Sequence, residues 1–264
     1  MAVETIDRVA ADIGNEARRV SSEVDALFGQ LLGNPGDGRD RLYAALRHAA
    51  IGGGKRLRPL LTIAASRLFG IAEDRAMRVG TAIEAIHVYS LIHDDLPCMD
   101  DDDLRRGKPT VHKAFGEAIA VLAGDSLHAM AFEMLADPKT HEDPFVRSDL
   151  VLELARASGP AGMAGGQMMD LAAESGALNL AAITRLQQLK TGALIEFAVE
   201  AAAGKRVGKD ANAGKATFVV LLGEERARQQ AALLVDQAIE HLATYGEEAN
   251  LLRAIARFAI ERDH

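Results

Sequence analysis

The sequence predicts a largely helical protein, and three observations support that fold class. Alanine and leucine supply most of the 48% apolar content, whereas aromatic residues make up 4% and tryptophan is absent. This composition favours helix over strand. Apolar residues near the N-terminus recur at spacings of three, four and seven, as on one face of a helix, and no stretch alternates like a strand.

Loops that contain glycine and proline separate the predicted helices. Pro97 disfavours helical geometry at Leu96, so the fourth helix should end near Asp95. The run GPAGMAGG interrupts the chain after residue 158, and helix should resume at Gln167. Gly192 lies inside a helix, where glycine costs about 1 kcal/mol relative to alanine, which indicates close packing or a kink near Lys190. The predicted helices cover 3–32, 41–51, 60–69, 74–95, 115–136, 145–158 and 181–203, with one or two more in 218–260.

Charge and cysteine content exclude several classes of protein. A net charge of -8 argues against a nucleic-acid-binding protein, whose surface would be basic. The single cysteine, Cys98, rules out a disulfide framework and fits a reducing cytosol. The N-terminal segment carries acidic residues, unlike a signal or transit peptide. No apolar run is expected to approach the ~20 residues that a membrane span needs. We therefore expect a cytoplasmic protein with no nucleic-acid or membrane partner.

The chemistry is expected to centre on the stretch from His93 to Thr110, HDDLPCMDDDDLRRGKPT. Six aspartates fall between Asp94 and Asp103, and such a density of like charge is unfavourable without a cation among them. Mg²⁺ prefers carboxylate oxygens and shares its remaining positions with water and phosphate. The following Arg105 and Arg106 could grip the outer oxygens of that phosphate. A solvated acidic loop is the alternative, but a loop anchored on an apolar helix favours the metal and phosphate site.

A second basic stretch, GGGKRLRP at 52–59, could bind an anion, because glycines allow backbone N–H groups to approach it closely. A flexible connector with solvated bases remains an equal alternative for this motif taken alone. Downstream, His87 lies two helical turns before Asp94 on one face and could donate to a phosphate, although a core histidine is the commoner case. Tyr89 lies roughly 7 Å below Asp94 along the helix, as a floor beneath a substrate or an ordinary core aromatic.

Three further groups are weaker candidates. Asp125 and His128 are i, i+3 neighbours, which favours a local hydrogen bond over a metal site. Gln167 and Asp170 share one helix face beside glycines and could serve a site or cap helices. The basic loop 204–218 offers lysines for a phosphate, namely Lys205, Lys209 and Lys215.

Together these motifs resemble those of the bacterial short-chain trans-prenyltransferases. The first aspartate-rich motif of that family, DDxxxxD, corresponds to residues 94–100, and the paired arginines that follow it correspond to Arg105 and Arg106. GGGKRLRP resembles the family's isopentenyl-diphosphate-binding loop. KTG at 190–192 and GK at 204–205 and 214–215 resemble its later diphosphate ligands. Several motifs stand in the family's order over most of the chain.

The resemblance implies an all-α, single-domain bundle of about ten or more helices around a central cavity, spanning 1–264, that forms a homodimer. It implies head-to-tail condensation of isopentenyl diphosphate with dimethylallyl and then geranyl diphosphate, giving farnesyl diphosphate. Three Mg²⁺ ions would assist the ionisation of the allylic diphosphate. Geranylgeranyl diphosphate is the alternative product.

The resemblance also implies roles for individual residues. Isopentenyl diphosphate would be held by Lys55, Arg58, His87 and Arg106. Mg²⁺ would bind Asp94, Asp95 and Asp100, and the allylic diphosphate would meet Arg105, Lys190, Thr191, Lys205 and Lys215. Tyr89, with Ser90 beside it, would limit chain length. Those expected to act directly on ionisation are Asp94, Asp100, Arg105 and Lys190.

One departure from the family pattern concerns a second aspartate-rich motif, DDxxD, which should follow the KTG helix. Here Ala203 is followed at once by Gly204 and Lys205, so several dozen residues are missing near 203–205. The natural protein could contain the segment, the deletion could leave a non-catalytic regulatory subunit, or a partner chain could supply the carboxylates. A terpene cyclase is disfavoured, because it has no use for the basic loop at 52–59.

Overall fold

A computed structural model describes residues 2–173, 179–203 and 224–260, and it confirms the helical fold class. The helices are α1 (Ala2–Leu31), α2 (Asp40–Ala50), α3 (Leu57–Leu68), α4 (Glu73–Asp94), α5 (Val111–Phe115), α6 (Glu117–Ala136), α7 (Pro144–Ser158), α8 (Met163–Ala173), α9 (Leu180–Gln187), α10 (Ala193–Ala203), α11 (Glu224–His241) and α12 (Asn250–Phe258). A π-helical turn at Gln188–Gly192 joins α9 to α10, and a 3-10 turn at Glu247–Ala249 precedes α12.

The chain forms two compact units, each assembled from separate segments. One unit contains Met1–Asn15, Leu61–Glu73 and Asp149–His264, and the other contains Glu16–Leu60 and Asp74–Ser148. Each has apolar side chains removed from solvent, because one face of each amphipathic helix is buried. Among the described residues, the largest fully buried apolar side chains of the second unit include Val20, Val24, Phe28, Ile83, Ile86, Leu127 and Leu135; those of the first include Ile63, Leu154 and Leu194. The single-domain organisation stays a prediction.

Helix α4 is the central support of the second unit, and it ends where proline requires. Twelve of its 22 residues are buried, among them Ile83, Ile86 and Ile92. The helix stops at Asp94, before the disfavoured position at Leu96, as the sequence predicted. A helix buried on most sides presents its C-terminal end as a fixed base for the acidic loop.

No strand was predicted from the sequence, yet a small hairpin follows the acidic loop. Leu104–Arg105 pairs antiparallel with Lys108–Pro109. The two turn residues between them, Arg106 and Gly107, have φ of 53° and 76°. Positive φ at both central residues matches a type I′ turn, which suits the twist of a two-residue hairpin. Strands of two residues are too short for apolar and polar residues to alternate, so the absence of alternation could not reveal them.

Helix boundaries differ from the sequence prediction where glycine packs closely. Helix α8 begins at Met163, four residues before the predicted start at Gln167. A Cβ atom at Gly166 would lie 2.2 Å from the backbone nitrogen of Lys190, so this glycine permits contact between helices and does not break one. The irregularity predicted at Gly192 is present as the π-helical turn. The other differences are a start of α3 at Leu57 and the separate short helix α5 before Gly116.

Helix α6 corrects the expectation that no apolar run approaches the length of a membrane span. Its 20 residues, Glu117–Ala136, are long and apolar enough to cross a bilayer by length and composition. Seven of them are buried in the protein, including Leu127 and Leu135, and a core helix meets the same criterion. Length and hydropathy therefore do not distinguish the two cases for this helix.

Candidate active site

The acidic loop returns to the end of α4. The backbone N–H of Asp100 donates to the carbonyl oxygen of Asp94 over 2.8 Å, and the N–H of Asp101 donates to the carbonyl of Leu96. Asp101 adopts a left-handed φ of 51° as the loop turns. Asp100 is therefore brought beside Asp94 by the loop and not by a further helical turn, as predicted from Pro97. Asp100 is exposed and Asp94 is half-buried.

Asp95 and Arg105 form a closely hydrogen-bonded ion pair. Both carboxylate oxygens of Asp95, which is 3% exposed, accept from Nε of Arg105 at 2.8 and 2.9 Å. The Nη2 atom of Arg105 donates to Oδ1 at 2.6 Å. These hydrogen bonds, with the nearby acidic charges, raise the pKa of Arg105. The expected roles of Asp95 on Mg²⁺ and Arg105 on diphosphate both remain predictions, and each would require these side chains to share or exchange partners.

The remaining loop aspartates meet cations of the protein. Nζ of Lys113 lies 2.7 Å from Oδ1 of Asp103 and lowers the pKa of that exposed carboxyl. Asp102 lies 3.8 Å from Arg105. The hydroxyl of Thr110 donates to the carbonyl of Asp102 at 2.8 Å. Cations of the protein therefore neutralise part of the acidic cluster. The metal-site interpretation of the sequence had assigned this neutralisation to a metal and its ligand.

The donor atoms of the loop fit the way in which proteins bind Mg²⁺. Within the described ranges, no three His, Cys, Asp or Glu side chains are grouped to hold a metal by themselves. Mg²⁺ is usually held by one or two carboxylates together with waters and substrate phosphates, so a preformed protein cage is not required. Asp94 and Asp100, adjacent at the two ends of one closed loop, supply the pair of carboxylates that this mode needs.

Arg106 joins the acidic loop to the glycine turn at Gly52–Gly54. A Cβ atom added to Gly54, whose φ is 89°, would lie 2.4 Å from Nη1 of Arg106, and one added to Gly53 would lie 3.2 Å from the same atom. Only glycine allows the guanidinium to lie so close to this backbone. Nζ of Lys108 lies 3.5 Å from the carbonyl oxygen of Gly52. The basic residues that follow the acidic loop therefore lie beside the glycine turn, although the two motifs are far apart in the sequence.

A concave pocket lies where these two loops meet. It is lined by Gly52, Gly53, Asp95, Arg105, Arg106 and Lys108, and by apolar residues of α4 that include Val88 and Ile92. Clefts with apolar walls and a few convergent polar groups are typical ligand sites.

Burial disfavours the charged form of two arginines in this part of the protein, Arg58 and Arg106. Burial lowers the pKa of Arg58, an effect that the nearby Glu84 partly offsets. Burial also lowers the pKa of Arg106, again offset by Glu84 and reinforced by Arg56 and Arg105. An anion placed among these guanidinium groups would favour their charged forms and so raise their pKa values again.

His87 lies in the field of the same cations. Burial first, and then the charges of Arg58, Arg106, Arg105 and Arg56, lower the pKa of His87 well below its usual value. The imidazole is therefore neutral near pH 7 and can donate one hydrogen bond without adding charge. Lys55, by contrast, is exposed at the edge of the same basic stretch. Lys55, Arg58, His87 and Arg106 all belong to one compact unit.

Tyr89 lies in a cluster of aromatic rings on the side of α4 that faces α6. Its ring packs edge-to-face against His128 at 4.9 Å between centroids and against His93 at 5.8 Å. Phe132 packs against His128 at 5.1 Å. Burial, with a contribution from Asp94, raises the pKa of Tyr89. The hydroxyl of the adjacent Ser90 donates to the carbonyl of His87, one turn back. The sequence interpretation noted His128 only as a neighbour of Asp125 and missed this packing.

The later diphosphate motif belongs to the other compact unit. Lys190 lies on the π-helical turn, and its ammonium donates to Asp170 of α8. Asp170 therefore pairs with Lys190. The spacing of Gln167 and Asp170 in the sequence had left the role of Asp170 open. Thr191 is half-buried on the same turn. Lys205, Lys209 and Lys215 lie outside the described residues, and the expectation that a segment is missing near 203–205 stays a prediction.

Two acidic residues near the basic stretch were not found from sequence. Asp25 of α1 and Glu84 of α4 both hydrogen-bond Arg56. Asp25 lies 31 positions from its partner and Glu84 lies 28, so neither is a motif neighbour. The one available signal was Glu84 itself, a charged residue amid the apolar residues of a core helix, where an unpaired charge is costly.

The chain is similar to several known proteins in sequence and in structure. The polyprenyl synthetase family model matches residues 39–203. The farnesyl diphosphate synthase of Escherichia coli is 40% identical over 263 residues, covering 83% of this chain and 88% of that enzyme. A chloroplastic geranylgeranyl pyrophosphate synthase of Arabidopsis thaliana is 39% identical, covering 82% of this chain and 73% of the relative. The crystal structure of an FPP/GFPP synthase from Zymomonas mobilis, at 54% identity, superposes with a TM-score of 0.89 over 95% of this chain and 99% of that one.

The lengths in one alignment bear on the missing segment. The match with the Escherichia coli enzyme extends over 263 residues, whereas 83% of this 264-residue chain is about 219 residues. About 44 positions of that enzyme therefore stand opposite gaps in this chain. The family match ends at Ala203, the residue after which the sequence departs from the family pattern.

Proposed function

The chain belongs to the polyprenyl synthetase family, and from that premise we propose that it is a prenyltransferase that makes farnesyl diphosphate. Isopentenyl diphosphate would condense head to tail with dimethylallyl diphosphate and then with geranyl diphosphate. The observation that carries the proposal is the contact between Arg106 and Gly54, because it unites the acidic loop and the basic turn in one site.

The residues of the basic side would bind isopentenyl diphosphate. Lys55, Arg58 and Arg106 would supply positive charge. Burial lowers the pKa of both arginines, and a bound diphosphate would oppose that effect by favouring their charged forms. Neutral His87 would donate one hydrogen bond to the same anion. Binding at this site would fix the double bond of isopentenyl diphosphate for attack on the allylic carbon.

The residues of the acidic side would bind the allylic diphosphate through Mg²⁺. Asp94 and Asp100 would hold the metal, with Asp95 as the third expected ligand. Mg²⁺, when bound, would neutralise charge on the departing diphosphate. Arg105 would stabilise the same leaving group, as would Lys190, Thr191, Lys205 and Lys215 from the later motif. The proton lost from the new chain can pass to the released diphosphate, so no side-chain base is required.

Product length would be set below the acidic loop. Tyr89 lies five residues before Asp94, and its packing against His93 and His128 supports its role as a rigid floor, with Ser90 beside it. This supports a fifteen-carbon product over geranylgeranyl diphosphate, the alternative suggested by the geranylgeranyl-forming relatives.

The second aspartate-rich motif completes the proposal. We infer that it lies in a segment that is missing between Ala203 and Gly204; the gaps of about 44 positions in the alignment support a missing segment, and the end of the family match at Ala203 is consistent with that position. The intact mass of the natural protein tests it: several kilodaltons above 28.1 kDa is expected. A mass at 28.1 kDa would favour the second candidate, a non-catalytic subunit that binds diphosphates or receives carboxylates from a partner chain.

A product assay tests the activity itself. Purified protein would be incubated with Mg²⁺, isopentenyl diphosphate and geranyl diphosphate, and the dephosphorylated products separated by gas chromatography. Farnesol is the expected product. No turnover would contradict the enzyme proposal, and cyclised hydrocarbon from farnesyl diphosphate alone would indicate a terpene cyclase. We further propose that the protein is a homodimer in the cytoplasm and binds three Mg²⁺ ions per site. Light scattering on the purified protein measures the oligomeric state, and metal titration measures the number of ions.

A further inference from the structure

A buried arginine lies behind the glycine turn and is turned away from the pocket. Arg56 stands in the middle of the basic stretch, between Lys55 and Arg58, yet it is 1% exposed. Its φ of 46° is in the left-handed region, which is unfavourable for a residue with a side chain. Such a conformation persists only where surrounding contacts hold it.

The contacts that hold Arg56 come from three elements. Its Nη1 atom donates to Oε1 of Glu84 on α4 at 3.0 Å, and its Nη2 atom donates to Oδ1 of Asp25 on α1 at 2.6 Å. The Nη2 atom also donates to the carbonyl oxygen of Ala50, at the end of α2. Both terminal nitrogens of Arg56 are therefore bound to acceptors of the protein, whereas its buried Nε has no hydrogen-bond partner among the described residues.

Asp25 also fixes the start of the turn. Its second oxygen, Oδ2, accepts the backbone N–H of Gly52 at 3.0 Å. One carboxylate therefore ties both ends of the segment from Gly52 to Arg56, across three glycines with few conformational restraints of their own. The residue that follows, Leu57, begins α3, so the segment held by Asp25 leads directly into that helix.

Glu84 supplies the buried negative charge that balances this segment. Its side chain is 2% exposed and pairs with Arg56. Its charge also acts favourably on Arg58 and Arg106, which the site would present to a diphosphate. Removing one partner of a buried ion pair leaves an uncompensated charge, so the three residues are energetically linked.

We propose that Asp25 and Glu84 are positioning residues of the isopentenyl diphosphate site, acting through Arg56 to hold the Gly52–Arg58 backbone in the conformation that presents Lys55 and Arg58. This inference rests on the proposed function. Neither carboxylate touches substrate, and their effect is on the affinity for one of the two diphosphates. A role confined to fold stability would affect both substrates alike.

The test compares Asp25→Asn and Glu84→Gln with matched controls in the full chain. Asparagine and glutamine keep the shape of each side chain and remove its charge. Glu16→Gln breaks a pair with Arg19 on the same helix as Asp25, and Asp37→Asn breaks an exposed pair with Arg39. Asp25 is the better probe for folding reasons, because its side chain is 25% exposed and tolerates the change more readily than the buried Glu84.

In Asp25→Asn we expect the KM for isopentenyl diphosphate to rise about tenfold, since a hydrogen bond to a charged group is lost. The KM for geranyl diphosphate and kcat should stay within about twofold to threefold of wild type, and both controls should match wild type. An unchanged KM for isopentenyl diphosphate, or an equal rise for both substrates, would overturn the inference.

The proposed function fails separately from this inference. Product formation by the wild-type protein tests the function alone. If the wild type lacks turnover, calorimetric titration with isopentenyl diphosphate and with geranyl diphosphate replaces the kinetics. Weaker binding of the first in Asp25→Asn, with binding of the second unchanged, supports the positioning role; equal changes, or none, refute it.

Discussion

Replacing Gly54 by alanine would place a methyl group where the guanidinium of Arg106 lies, and this change separates function from stability. The new Cβ would be 2.4 Å from Nη1 and 2.9 Å from both Cζ and Nη2 of Arg106, so that side chain must move. The atoms displaced are the far end of a flexible side chain, and the displacement itself costs little folding energy. Left-handed backbone at φ 89° costs an alanine roughly 1–2 kcal/mol.

The expected result has two parts. The melting temperature should fall by about 2–4 °C for each kcal/mol lost, measured by calorimetry. The KM for isopentenyl diphosphate should rise about 10- to 100-fold, the equivalent of a charged hydrogen bond worth about 1.5–3 kcal/mol. Steady-state kinetics with geranyl diphosphate held at saturation measures this second part.

The matched control is Gly36→Ala. Gly36 has a φ of 73°, and a Cβ atom there meets nothing within 4 Å. It should lose comparable stability and keep the wild-type KM. If Gly54→Ala lowers the melting temperature like the control but leaves the KM for isopentenyl diphosphate unchanged, Arg106 is not a ligand of that diphosphate and the central contact of the proposed site has no role in binding.

Three further predictions concern single residues of the second compact unit. Tyr89→Ala should extend the products to twenty carbons or beyond, read by gas chromatography after dephosphorylation; an unchanged profile would reject the floor. Asp100→Asn should lower kcat about a hundredfold or more and shift the Mg²⁺ dependence to higher concentration, since a hard cation loses a carboxylate; an unchanged Mg²⁺ titration would remove Asp100 from the metal site. The lowered pKa of His87 means that the unfolded chain binds this proton at higher pH than the folded chain, so its contribution to stability is complete above pH 6.5 and is lost as the pH falls below that value. Below pH 6.5, the unfolding free energy of His87→Gln, measured by denaturant titration, should therefore depend less on pH than that of wild type. An equal dependence on pH in the two proteins would contradict this.

The helices could be predicted because their signals are local. Apolar spacing marked α1, and Pro97 marked the end of α4, since each acts on residues within one or two turns. The contacts of the site could be predicted only where a motif already grouped the residues. Arg105 and Arg106 follow the acidic run directly, so their presence beside it was clear, whereas the engagement of Arg105 by Asp95 depends on how the loop turns back.

What sequence could not supply was pairing across long separations. Asp25 of α1 and Glu84 of α4 both bind Arg56 although they lie far from it in the sequence, and no local pattern encodes that meeting. Gly166 was interpreted as part of a helix break because glycine is a poor helix former. Its actual role, contact with the backbone of Lys190, depends on a second helix that propensity does not take into account.

The hairpin of residues Leu104–Arg105 and Lys108–Pro109 restricts the number of amino acids in this segment more than their identity. Arg105 stands on a strand and reaches Asp95, whereas Arg106 occupies the turn and reaches Gly54. Because the two-residue turn sets the register of the paired strands, inserting or deleting one residue between Arg105 and Lys108 would change the register and displace at least one of the two arginines. Natural variation in this segment should therefore consist of substitutions at constant length.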